Sequence, residues 1–110
     1  MAERVMYLQL KTGYNTDRGP AWIARVRFTR SWRTAYVYGR TLARVTGTAR
    51  ANFDSNFCDV DTGETFWMCG PKRDRTDGRY TSRQPLVDED AREPYEAFLD
   101  GSPLPGRESG

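Results

Sequence analysis

Histidine is absent from all 110 residues. No Ser-His-Asp or Cys-His pair can therefore form within one chain, and no imidazole acts as acid, base or metal ligand. Cysteine occurs only at Cys58 and Cys69. Two thiols without histidine do not complete a four-ligand zinc site, and they do not make a secreted disulfide framework. No stretch approaches the roughly eighteen apolar residues of a membrane span. The start, Met-Ala-Glu-Arg-Val-Met-Tyr-Leu, lacks a signal-peptide core and runs straight into alternation, so the chain reads as cytoplasmic. Neither a Gly-x-x-x-x-Gly-Lys loop nor a Gly-x-Gly-x-x-Gly turn is present, so the usual nucleotide signatures are missing. No cofactor and no metal is expected.

Acidic residues are missing from one long region. From Arg18 to Phe53 there are eight arginines and no Asp or Glu. Residues 1–53 carry ten basic and two acidic groups, a net of +8; residues 54–110 carry seven and thirteen, a net of −6. The whole-chain balance of +2 conceals this division. It marks either a surface for an anionic partner or two faces of one domain that attract each other. Lysine is scarce, with two against fifteen arginines. That skew fits bidentate phosphate or carboxylate contacts, but a GC-rich genome that codes basic positions as Arg explains it better.

Five Phe, six Tyr and three Trp offset an apolar content of 37%. Each buried aromatic removes on the order of 150–250 Å² from water, enough for one core in a chain of this length. Trp22, Ala24, Val26 and Phe28 alternate with Arg25, Arg27 and Thr29, the period of a half-buried strand with one arginine face. Val5 to Lys11 alternates less cleanly, with Met6, Leu8 and Leu10 against Tyr7 and Gln9. The turn-rich residues 12–20 form a loop. A third strand is expected near Thr34 to Tyr38, with Gly39 ending it or marking a bulge before Thr41 to Val45. Asp61-Thr-Gly-Glu64 centres a hairpin flanked by Phe57, Cys58 and Val60 on one arm and Phe66, Trp67 and Met68 on the other. A loop of two or three residues there would set which of these face inward. Cys58 and Cys69 are not directly opposite in either register, so two reduced, partly buried thiols are expected.

Lys72 to Pro85 has little apolar content beyond Tyr80 and reads as a long exposed loop. Asp88-Glu-Asp90 opens a helix, acids at a helix start meeting orphan N–H groups. Tyr95, Phe98 and Leu99 form its apolar stripe, and Gly101 is a stop. Pro94 predicts one turn before it and the main helix after it. The fold class is thus mainly β: a small antiparallel SH3-like barrel, or a strongly curved sheet, of about five strands with one short C-terminal helix. Residues 1–101 make one domain and residues 102–110 a flexible tail.

Chemistry has few places to sit. Asp59, Asp61 and Glu64 suit a cation or an acid–base pair, but ordinary turn chemistry explains them better, with Asp59 facing solvent. The arginine strand offers Arg25 and Arg27 as phosphate contacts, and Trp32, in a turn, as an exposed aromatic. Trp22 and Phe28, opposite those arginines, read as core. Tyr14, Asn15, Lys72, Arg73, Arg75 and Arg79 are the loop residues best suited to grip a partner. The acidic stretch from Asp88 to Glu96 is expected to fold back over the basic strands, which would leave no large patch.

Tyr7-Leu-Gln-Leu-Lys-Thr-Gly-Tyr-Asn15, Gly19-Pro-Ala-Trp-Ile23, Asp59-Val-Asp-Thr-Gly-Glu64 and Gly70-Pro-Lys72 together resemble a family of small uncharacterised bacterial proteins. The similarity runs from about residue 6 to residue 101. Some members carry an automated 1-deoxyxylulose-5-phosphate synthase label, an activity that needs a large multidomain thiamine-diphosphate framework unlike this chain. The resemblance implies a compact bacterial protein and supplies no catalytic residues. The expected function is a non-catalytic binding or adaptor module for a protein or anionic partner. A nucleic-acid-binding barrel is the alternative, and a small carboxylate and arginine enzyme a third. The broken basic stripe tips the expectation toward a protein partner.

Overall fold

The structure, a computed structural model, describes residues 2–11, 19–45, 55–74 and 84–104. Its elements are β1 (Ala2–Lys11), β2 (Ala21–Phe28), β3 (Thr34–Val37), β4 (Arg40–Arg44), β5 (Phe57–Asp59), β6 (Thr65–Cys69), β7 (Leu86–Val87) and α1 (Glu89–Leu99). Strands β1 to β6 each pair antiparallel with the next, and β6 returns to β1, closing a six-stranded barrel. The small antiparallel barrel with one terminal helix that the alternation predicts is the fold that forms.

Side chains of one parity fill the interior. Leu8, Ala24, Val26, Phe28, Ala35, Val37, Leu42, Phe57, Phe66 and Met68 make one buried cluster, with Met6, Leu10, Trp22 and Trp32 packed against it. In a barrel of six strands these side chains fill the interior. The opposite parity of β1 and β2 lies under α1. Val5, Tyr7, Ala21 and Ile23 meet Ala91, Tyr95 and Leu104 there. This explains why β1 alternates poorly: both of its faces are covered. Gln9, on the outward parity, is fully buried, and its Oε1 accepts a hydrogen bond from the Tyr7 hydroxyl at 3.1 Å. Leu104, beyond the helix, is only 2% exposed; residues 105–110 of the expected tail lie outside the described residues.

The helix is continuous through Pro94, where two pieces were expected. Proline has no N–H, so the Asp90 carbonyl four residues earlier loses its partner. The Arg25 Nε supplies one at 2.8 Å. Gly101, with φ of 115°, ends the helix as expected. Its N–H donates to the Phe98 carbonyl and that of Ser102 to the Ala97 carbonyl, the paired bonds of a Schellman stop. No basic residue lies in the last turn, and Arg73 takes that place from outside. Its Nε donates to the Phe98 carbonyl at 2.9 Å, its Nη2 to the carbonyls of Gly101 and Ser102, and its guanidinium lies 4.6 Å from the Phe98 ring centre. The start of the helix corrects another expectation. Asp88 stands at the N-cap but makes no side-chain cap bond. Its carboxylate instead accepts from the Tyr38 hydroxyl at 2.5 Å.

Alternating strand direction puts the β3–β4 turn, the β5–β6 turn, the start of β2 and Leu86 at one end, the mouth. The start of β1, the end of β2 with its following turn, and the end of β4 lie at the other, the base. The β5–β6 loop has four residues, Val60 to Gly63, rather than two or three, with Phe57 opposite Phe66 and Cys58 opposite Thr65. Neither Cys58 nor Cys69 is in a disulfide, and both are half-buried.

Candidate functional site

At each end, strand alternation aims an arginine inward above a buried aromatic. At the mouth it is Arg40, 5.4 Å from the Phe66 ring centre. At the base they are Arg44, 5.3 Å from Phe57, and Arg4, 4.7 Å from Trp32. Such stacking holds a guanidinium in place without cancelling its charge.

The mouth is neutralised. Arg40 Nη1 donates to Asp59 Oδ2 at 2.7 Å and to Glu64 Oε1 at 2.8 Å. Asp59 was expected to face solvent, yet it is 2% exposed. It shares the inward parity of Phe57 on β5, and its Oδ1 accepts the backbone N–H groups of Asp61 at 2.8 Å and Thr62 at 3.2 Å. The Asp61 N–H, opposed by burial and aided by Arg40, holds the Asp59 carboxyl below the usual range. Arg40, with help from the Thr62 hydroxyl, does the same for Glu64. Both carboxylates stay ionised and fully engaged, which suits an anchor and leaves neither as a general acid. Asp61 itself is exposed.

Beside this anchor the barrel wall parts. β2 pairs with β3 only at Arg27 and Phe28, and β7 takes the edge of β2 at Trp22 and Ile23. The seam leaves a cleft of about 340 Å³ lined by Leu8, Trp22, Tyr38, Arg40 and Phe66. Tyr38 and Gly39 form the two-residue β3–β4 turn with φ of 54° and 71°. Both signs are positive, the type I′ pattern that ordinarily takes Asn-Gly. A tyrosine there stores about 1–3 kcal/mol of backbone strain. Packing against Trp22 at 5.6 Å and the bond to Asp88 hold it in place. Burial, then that bond, raises the Tyr38 pKa, with Asp88 and Asp90 charges adding to it.

The base is not neutralised. Ion pairs among the described residues join Arg25 to Glu3, Arg40 to Asp59 and Glu64, and Arg92 to Glu89; none reaches Arg4, Arg30, Arg33 or Arg44. The expected folding of the acidic helix over the basic strands therefore forms no ion pair with them: α1 meets Arg25 through a backbone carbonyl. The four residues gather at the same end of the barrel, on β1, β4 and the β2–β3 turn. Arg4 covers Trp32, Trp32 adjoins Arg33, and the Arg33 carbonyl accepts the Arg44 N–H at 2.8 Å. Arg30, Ser31 and Arg33 are exposed. Trp32, with φ of 63°, is half-buried rather than exposed, its ring 4.9 Å from Phe28.

Among the residues singled out from sequence, Trp32 and exposed Arg27 lie at the base. Arg25 and Arg73 are engaged in holding the helix, a role that spacing alone did not show. Lys72 is exposed beside Arg73. Tyr14, Asn15, Arg75 and Arg79 lie outside the described residues. Sequence reasoning passed over Arg4, Arg30, Arg33 and Arg44 as a group, and the Trp22–Tyr38 cleft. The signal for the latter was a bulky residue before Gly39, where a hairpin turn ordinarily takes Asn. Among the described residues no group of acids and thiols is arranged to hold a metal, and no helix is long and apolar enough to cross a membrane. No family model, no curated protein and no solved structure matches the chain.

Proposed function

We propose that this protein is a non-catalytic binding module whose barrel base grips the phosphate backbone of a nucleic acid. The observation that carries this reading is the gathering at the base of Arg4, Arg30, Arg33 and Arg44, which have no ion pair among the described residues. The broken basic stripe in the sequence favoured a protein partner, but arginines from β1, β4 and the β2–β3 turn come together on folding. Guanidiniums already fixed on aromatics or on a tight turn lose less freedom on meeting phosphate. With Trp32 half-covered by Arg4, contact falls on phosphates more than on stacked bases, which implies weak sequence preference.

A titration of labelled single- and double-stranded oligonucleotides at two salt concentrations tests this. Binding is expected at low salt, with log K falling by about 0.7–0.9 per phosphate contact for each unit of log salt. Arg33→Glu and Arg44→Glu are expected to weaken it at least tenfold. Flat curves at low salt with both strand types overturn the proposal and direct attention to an acidic protein surface.

A further inference from the structure

The cleft at the mouth calls for a different ligand from the base. Its floor and walls are Leu8, Phe66, Trp22 and Tyr38, and its one charged lining group, Arg40, is cancelled by Asp59 and Glu64. The volume of about 340 Å³ stands at the small end of ligand pockets, the size for one anchoring group rather than a cofactor. The exposed large hydrophobics among the described residues are Tyr38, Val60 and Leu86, and all three stand at this end. Clustering of that kind marks a contact surface. Among the described residues the charge around it is mainly negative. Asp61 and Asp88 lie at the mouth, and Asp59 with Glu64 exceeds Arg40 by one charge, whereas Lys11 is only 6% exposed. Such a rim repels phosphate and attracts cations.

We infer that the mouth is a second, independent site that takes one large apolar side chain of a protein segment whose neighbouring residues are Lys or Arg. The anchor rests in the cleft over Leu8 and Phe66, against the packed Trp22–Tyr38 pair, while the flanking cations face Asp61 and Asp88. Tyr38 is set for this: its turn conformation and its bond to Asp88 fix one wall before any ligand arrives, so little ordering accompanies binding.

The test uses the whole chain, labelled with ¹⁵N, and three synthetic pentapeptides. One has phenylalanine between pairs of lysines, one has alanine in its place, and one has phenylalanine between pairs of glutamates. The first is expected to perturb the amides of Trp22, Tyr38 and Arg40 and to bind at least tenfold more tightly than either control. Trp22→Ala abolishes that binding. Asp88→Asn keeps the acceptor for the Tyr38 hydroxyl and removes only charge, so it leaves the fold intact and weakens the first peptide by up to about fivefold at low salt. The inference is overturned if the first peptide does not bind at millimolar concentration, if either control binds equally well, or if the perturbed amides lie at the base. None of these outcomes bears on nucleic-acid binding at the base, which is measured separately.

Discussion

At the mouth, Arg40 lies over Phe66 and two carboxylates hold it; at the base, Arg4 and Arg44 lie over Trp32 and Phe57, and among the described residues no carboxylate pairs with them. The packing device is the same, and the electrostatic result differs because the β5–β6 turn brings Asp59 and Glu64 to the mouth alone. The same division runs through the other arginines. Arg25 repairs the carbonyl that Pro94 orphans, and Arg73 caps the end of α1, whereas Arg30 and Arg33 are exposed in a turn. An arginine count therefore says little about a binding surface until those engaged by the fold are subtracted.

The largest effect expected on breaking this contrast is at Asp59. Asp59→Ala leaves Arg40 half-paired and the Asp61 and Thr62 N–H groups without their acceptor, and should give the greatest fall in Tm of any substitution named here. Replacing Arg40 and Asp59 together by leucine should cost less, since no lone charge remains. Arg44→Leu at the base should move Tm little. Thermal unfolding of the four proteins compares the two ends directly.

Acid should reach the mouth first. Asp59 and Glu64 have pKa values lowered by folding, so the stability they provide is complete above their unfolded values of about 4. It is lost as pH falls through the lowered values, where the folded state must take up protons. Urea midpoints measured from pH 6 to pH 2 should drop more steeply for the natural chain than for Asp59→Asn. Equal slopes would show that the anchor contributes nothing to acid sensitivity.

Smaller again is the helix repair. Arg25→Met should destabilise by about 1 kcal/mol, the value of one hydrogen bond. Adding Pro94→Ala should recover most of it, because an alanine N–H can return to the Asp90 carbonyl. A double-mutant cycle by urea unfolding reads that coupling, and strict additivity would remove the repair role.

The smallest stability effect belongs to the base. Arg33→Gln and Arg44→Gln should each stay within about 0.5 kcal/mol in urea unfolding. Each should lower the salt slope of nucleic-acid binding by nearly one. A large stability loss with an unchanged slope would make these arginines part of the fold, like Arg25.

Much of the fold was legible. Alternation over Trp22 to Phe28 gave β2 and its inward face, and Tyr95, Phe98 and Leu99 with Gly101 gave the docked helix and its stop. Asp59 was misread as a turn residue because only the pairing of β5 with β4 shows that the strand runs through it and gives it the inward parity of Phe57. The burial of Tyr7 and Gln9 was not legible because nothing local shows that α1 will cover β1. The cleft was hidden for a similar reason: it exists because β3 separates from β2 while β7, sixty-four positions along from Trp22, takes the vacated edge.

By itself the sequence determined a small β-rich fold with one terminal helix, an excess of arginine in its first half, and chemistry without imidazole, because period, composition and absence are local properties. Only the tertiary structure decided which arginines are neutralised and which stand at the base with no ion pair among the described residues. It also set Tyr38 against Trp22 beside a cleft and buried Asp59. Those outcomes depend on which strand ends closure of the barrel brings together, and closure joins residues that no local pattern connects.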